Sequence, residues 1–308
     1  MIEYKHTLLK ILTLFFLIFF SIILMNYLVD PYGYNSRDKK FVKNLTMFNK
    51  PNVTSSRLSS DGYYYLIGSS RMARVDPRLI EELVNRKTHN IKIDGATLFE
   101  NTLLAKKVKE KGSNFIYSFD VFSLNKNRQK FSEILNRADT FQIELDKKNL
   151  IFSKYFNSDI TIRSVQHLIK NLNKEEINKQ YLKENSSKSF ISKDLAQLDS
   201  GISNKVFKAN FSDFDLYPKS EIIKLAKLAK STDIYIIFPK HIIYYSLFSE
   251  YQDIESQYFS AIRALVNNTK GQVWSFYGVN DITTNKNNFI DNGWHFKPYI
   301  SNIIFNQV

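Results

Sequence analysis

The chain has no cysteine among its 308 residues. That excludes a disulfide framework, a zinc–thiolate site and a thiol nucleophile. It has no helix-turn-helix, zinc-finger or ribonucleoprotein aromatic motif, although its net charge of +13 would suit a nucleic-acid binder. His89 and His167 are not spaced with other donors as metal ligands are. No metal site and no cofactor are therefore expected. The hydrophobic share of 44% and charged share of 24% are those of a globular protein, so wholesale disorder is excluded.

Charge is also missing from one particular stretch. Residues 11–29 carry none and are mostly Leu, Ile and Phe. Nineteen residues span about 28 Å as a helix, close to the hydrocarbon thickness of a bilayer. Lys5, His6 and Lys10 precede the run and Asp30 follows it. The positive-inside rule places residues 1–10 in the cytoplasm and the chain after residue 29 on the outer side. The run ends in Met25-Asn26-Tyr27-Leu28-Val29, without the small residues of a signal-peptide cleavage site. The expectation is an uncleaved single-pass anchor in a plasma or inner membrane, with the C-terminal domain periplasmic or extracellular.

This topology alters the meaning of the charge. Only Glu3, Lys5 and Lys10 lie before residue 30, so the remainder carries 41 basic and 29 acidic residues, a net of +12. Outside the cytoplasm such a surface meets anionic lipid head groups and anionic envelope polysaccharide, and no nucleic-acid partner is expected.

Residues 30–61 begin with the turn-forming Asp30-Pro31-Tyr32-Gly33-Tyr34 and read as a connector. Over residues 62–308 short apolar runs alternate with helical periodicity. The strand candidates are Tyr63-Tyr64-Tyr65-Leu66-Ile67, Ile91-Lys92-Ile93, residues 115–119, Ile234-Tyr235-Ile236-Ile237-Phe238 and Val273-Trp274-Ser275-Phe276. Helices are expected from Asp76-Pro77 to about Arg86 and over residues 97–111, 220–228, 251–266 and 298–306. This alternation predicts an α/β domain with a parallel sheet covered on both faces, its working residues at the carboxyl ends of the strands. Residues 125–218 interrupt the pattern. They read as a mainly helical insertion, either a lid or a passive decoration.

At the end of the first strand stands Gly68-Ser69-Ser70-Arg71. A serine there can expose its hydroxyl at the sheet edge, and a following helix N-terminus would offer N–H groups to an oxyanion. Near the C-terminus, Asp291 and His295 lie within Asp291-Asn292-Gly293-Trp294-His295. A nucleophilic serine needs a base, and the base an orienting carboxylate. Arg71 can bind a substrate carboxylate or phosphate, stabilise an oxyanion, or pair with Asp120 or Asp94. His241 follows the fourth strand at the same edge. It can line the site, compete with His295 as base, or sit in a surface loop.

These segments, in this order, resemble the SGNH/GDSL hydrolase superfamily. The resemblance implies a three-layer flavodoxin-like sheet. Gly68-Ser69-Ser70 matches the Gly-Asp-Ser block, with Ser69 in place of Asp and Ser70 as nucleophile. Gly95 matches the glycine whose N–H contributes to the oxyanion hole. The third block departs: Ser118-Phe119-Asp120 has no oxyanion asparagine. Asp291 precedes His295 by four residues, where the family pattern has three. A closer resemblance, over nearly the whole chain, is to uncharacterised N-terminally anchored bacterial SGNH-like proteins. It rests on Asp30-Pro31-Tyr32-Gly33, Gly68-Ser69-Ser70-Arg71, Asp94-Gly95-Ala96, Phe119-Asp120-Val121-Phe122, Phe238-Pro239-Lys240-His241 and Trp274-Ser275-Phe276. It implies an envelope-facing serine esterase or O-acyltransferase on an acylated glycan or similar ester. The catalytic residues would be Ser70, Asp291 and His295, with Gly95, Arg71, Asp120 and His241 around the oxyanion and substrate. The rival expectation is an inactive SGNH-like domain serving as a tethered binding or assembly factor for an anionic envelope polymer.

Overall fold

The structure is a computed structural model that describes residues 2–31, 58, 62–93, 95–127, 155–156, 158–172, 211, 213–250, 252–290 and 293–308. Nearly all of the connector and most of the 125–218 stretch lie outside the described residues, as do Asp94 and Asp291. The chain divides into two compact units, residues 1–45 with 147–186, and residues 46–146 with 187–308.

The first unit is built on helix α1, Ile2–Val29. It is long and apolar enough to cross a membrane. The described helices of the second unit before residue 150 are α2, Pro77–Val84, and α3, Leu98–Glu110. Helix α4, Ser158–Leu172, belongs to the first unit and packs on α1. Asn26, buried in the last turn of α1, donates from Nδ2 to the Tyr155 carbonyl at 2.7 Å and to Thr161 Oγ1 at 2.9 Å. A stretch of the expected insertion thus packs against α1.

The second unit contains a five-stranded parallel sheet in the order β2-β1-β3-β4-β5. Its strands are β1 Tyr64–Ile67, β2 Thr88–Asn90, β3 Asn114–Ser118, β4 Ile234–Ile237 and β5 Gln272–Ser275. Helices α5 Lys219–Leu228, α6 Ile243–Glu250, α7 Gln252–Asn268, the single turn α8 Asp281–Thr284 and α9 Pro298–Phe305 complete it. Strands β6 Phe289–Ile290 and β7 His295–Phe296 form a separate antiparallel hairpin. The predicted α/β class with a parallel sheet is what the structure has.

Two faces follow from the period of two along each strand. Tyr65, Ile67, Tyr117, Tyr235 and Ile237 point to one core, filled by Leu104 and Val108 of α3, Leu225 of α5 and Leu265 of α7. Tyr64, Leu66, Ile116 and Ile236 point to the other, filled by Ile80 of α2 and Ile300 and Ile304 of α9. Two of the buried tyrosines have partners for their hydroxyls. Tyr235 donates to the Leu225 carbonyl at 2.9 Å, and Tyr258 to the Phe119 carbonyl at 3.1 Å.

Local chemistry sets the boundaries. Asp76 caps α2, accepting from the Arg78 N–H, with Pro77 at the first turn. Asn85 takes a left-handed conformation and ends α2 just before the expected Arg86. Thr97 and Glu100 form a capping box at the start of α3. The second strand pairs earlier than its apolar residues suggest, over Thr88–Asn90. Thr88 and Asn90 are buried with partners: Thr88 N–H donates to Glu81, and Asn90 Nδ2 to the Met72 carbonyl. Ile91 and Ile93 continue alongside β1, their N–H groups donating to Leu66 and Gly68.

Candidate active site

The sheet order reverses direction at β1: β2 lies on one side and β3 on the other. In open α/β sheets the crevice at such a switch point, beyond the carboxyl ends of the strands, is where ligands bind. Gly68 stands there. Its φ is +155°, and a Cβ on it would lie 2.6 Å from Ser118 Cβ at the end of β3. Only glycine lets the two strand ends approach this closely.

The chain then winds through a single 3-10 turn, Met72–Arg74, with Ala73 N–H donating to the Ser70 carbonyl. The expectation of a helix N-terminus directly behind Ser70 is corrected to this short turn, because the next α-helix starts only at Pro77. The turn is pinned by Asn90 through the Met72 carbonyl, at 2.8 Å. Among the described residues the N–H groups of Ser70 and Gly95 make no hydrogen bond. Gly95 lies in the turn beyond β2, with φ +70°.

Ser70 Oγ lies 2.8 Å from His295 Nε2, across 225 positions of sequence. The structure thus brings these two predicted residues within hydrogen-bond reach. His295 opens β7 and sits opposite Ile290 of β6. The hairpin is closed by the Lys297 N–H donating to the Asn288 carbonyl at 2.8 Å. Asp291, the third expected member, lies between these strands and outside the described residues.

The residues around His295 are held from two sides. Gly293 has φ +85°, and a Cβ there would lie 2.7 Å from His241 Cβ. His241 is buried, and its own N–H donates to the Gly293 carbonyl at 3.3 Å. Its Nδ1 accepts from the Ile243 N–H at 3.3 Å. Burial pushes the His241 pKa below its ordinary value. The structure therefore places His241 as a buried support of the hairpin rather than in a surface loop, and it is His295 that meets Ser70.

Arg71 holds the other side. Its guanidinium pairs with Asp120, its Nε donates to the Trp294 carbonyl at 3.0 Å, and its charge lies 5.6 Å from the Trp294 ring centre. Of the partners weighed for Arg71, Asp120 is paired with it, and Asp94 lies outside the described residues. Asp120 also accepts from Ser69 Oγ at 3.4 Å and from the Phe122 N–H at 3.2 Å. Asp120 is thus the centre of a buried network.

Sequence reasoning missed Lys240 as part of this network. Its Nζ lies 3.6 Å from Asp120 Oδ1 and above the rings of Phe248 and Tyr258, at 4.9 and 5.7 Å. Burial, then the neighbouring Arg71 charge, push its pKa well below the ordinary lysine range. The available signal was its place, three residues past the end of β4 at the sheet's carboxyl edge. Trp294, packed on Tyr244 and Phe122 at 4.2 and 4.6 Å between ring centres, is the second residue missed. No group of three potential metal ligands occurs among the described residues. No protein-family model matches the chain, and no curated protein matches it significantly in sequence.

Proposed function

We propose that Ser70 and His295 are the nucleophile and general base of an SGNH-type serine esterase or O-acyltransferase, held by α1 on the outer side of a membrane. The observation that carries this reading is the 2.8 Å contact between Ser70 Oγ and His295 Nε2 at the carboxyl end of β1. The strand order 2-1-3-4-5 supports it, being that of flavodoxin-like sheets. Further support comes from the rigid mounting of both residues, since a preorganised pair is what acyl transfer needs.

In this mechanism His295 accepts the Ser70 proton on Nε2 as Oγ bonds to the ester carbonyl carbon. The negative charge develops on the carbonyl oxygen, where the N–H groups of Ser70 and Gly95 are the candidate donors. Collapse breaks the ester C–O bond, and His295 returns the proton to the departing alcohol. Water then releases the acid, or a sugar hydroxyl takes the acyl group. Asp291 is the proposed orienting carboxylate for His295. Arg71 acts as a positioning residue, through Asp120 and the Trp294 carbonyl. The substrate class proposed is an acylated envelope glycan, consistent with a net charge of +12 after the anchor.

The test is a fluorophosphonate probe on the full chain in detergent, with hydrolysis of a short acyl ester in parallel. Labelling and turnover lost in Ser70→Ala, at unchanged thermal stability, is the expected result. No labelling of folded wild-type protein overturns the enzyme reading and favours a tethered binding module for an anionic polymer. Salt-sensitive glycan binding would then be the measurement.

A further inference from the structure

Helix α4 carries an apolar face for which the second unit's chemistry has no use. Ile162, Val165 and Ile169 are exposed, at 56%, 40% and 56%. At 100° per residue they fall within an arc of about 60°. Arg163 and Gln166, also exposed, lie to one side of that stripe. Ile160 and Ser164 are buried, on the side of the helix opposite the stripe. An amphipathic helix with its apolar stripe outward needs an apolar occupant.

The contacts with α1 identify the occupant. Phe156, 51% exposed, lies with its ring 4.5 Å from that of Phe19, inside the uncharged run. Tyr155 meets Tyr27 with 5.4 Å between ring centres, and Thr161 meets Asn26. Phe19 lies about 15 Å along the helix from Val29, half the thickness of a hydrocarbon core. A helix docked on this part of a membrane-crossing helix is at bilayer level. Its apolar stripe is exposed, as are the apolar residues Phe20, Leu24 and Leu28 of α1 in the same stretch.

We propose that α4 is a second membrane element, an interfacial helix whose Ile162–Val165–Ile169 stripe, with Phe156, lies in the acyl-chain boundary of the bilayer that α1 crosses. The inference rests on α1 being a membrane anchor. It gives part of the 125–218 stretch a role in seating the protein on lipid, distinct from a lid.

The absence of cysteine makes the test clean. Single-cysteine variants Val165→Cys, Ile169→Cys, Gln166→Cys and Leu17→Cys of the full chain would carry an environment-sensitive fluorophore. They would be reconstituted into phosphatidylcholine–phosphatidylglycerol vesicles containing acyl-chain-brominated lipid. The expected result is lipid quenching at positions 17, 165 and 169 and none at 166. Quenching at 17 without quenching at 165 and 169 overturns the proposal and leaves the anchor intact. Shielding of 165 and 169 from aqueous iodide without lipid quenching also overturns it, in favour of a protein partner. Loss of quenching at position 17 itself overturns the anchor reading, and this inference with it.

Discussion

Asp233 stands at the amino end of β4 and Asp120 beyond the carboxyl end of β3, and both are buried beside cations. Asp233 is served mostly by backbone: it accepts from the Phe115 and Lys230 N–H groups at 2.8 and 2.6 Å and pairs with Lys109 at 2.7 Å. Lys109 remains partly exposed, so its charge keeps some water. Asp120 is served mostly by side chains, from Ser69, Arg71 and Lys240, with one backbone N–H from Phe122. The Arg71 guanidinium and the Lys240 amine, whose charged form burial disfavours, face one carboxylate there, all three nearly excluded from solvent. The first arrangement closes strand ends and needs nothing further. The second ties three segments together at the edge where Ser70 and His295 meet, and its burden of buried charge is what a site accepts and a purely structural cluster avoids.

The comparison breaks most sharply at Asp120. Asp120→Asn leaves Arg71 and Lys240 buried with no carboxylate between them. Breaking a buried pair in this way costs on the order of 3–5 kcal/mol. Stability to urea should fall by that amount. Ester turnover of the fraction still folded should also fall, because the Arg71 tie to the Trp294 carbonyl loosens the segment bearing His295. Full turnover in a folded Asp120→Asn protein would make the two aspartates equivalent, both structural. Asp233→Asn is the counterpart. It keeps one oxygen for one of the two backbone N–H groups, sets its NH2 against the other, and lets Lys109 turn to water, so the loss should be smaller, about 1–3 kcal/mol. Turnover per folded molecule should be unchanged, as measured by active-site titration with the fluorophosphonate.

Gly293→Ala probes the same edge through the backbone. The left-handed φ and the approach to His241 Cβ both oppose a side chain. A loss of about 1–3 kcal/mol is expected. A drop in turnover larger than the stability loss explains, with thermal melts as the reference, would separate displacement of His295 from simple unfolding.

These contrasts also explain what could be read in advance. The alternation of strands and helices was legible because apolar runs such as Ile234–Ile237 have few other uses, and caps such as Asp76-Pro77 mark helix starts. Ser70 and His295 were legible as candidates from their places relative to the strands. That Ser69, Arg71 and Lys240 would converge on Asp120 was not, since contact between strand ends depends on sheet order. Lys240 was least visible. A lysine in a loop is ordinarily solvated, and its burial depends on Phe248 of α6 and Tyr258 of α7 closing over it. Helix α6 is rich in aromatic residues and has no clear polar periodicity to mark it as a helix in the sequence. The hairpin of β6 and β7 escaped for a similar reason: two residues per strand are too few to show a period.

The smallest expected effect concerns pH at this same edge. His241 is buried, and burial holds its pKa below the ordinary value. The folded state therefore keeps the imidazole neutral where the unfolded chain, titrating near about 6.5, takes up a proton. The unfolded state binds more protons in that window, so stability rises with pH through it. The contribution of His241 is fully present above the unfolded pKa and is lost as pH falls towards the folded one. His241→Asn supplies an oxygen that can accept from the Ile243 N–H in place of Nδ1, without a group that titrates there. Urea midpoints measured between about pH 7.5 and 5.5 should fall less steeply in this variant than in wild type, by under about 1.4 kcal/mol per pH unit. Equal slopes would mean that His241 exchanges protons freely in the folded protein. The backbone tie from the His241 N–H to the Gly293 carbonyl would remain, and the imidazole would add no pH-dependent stability to this edge.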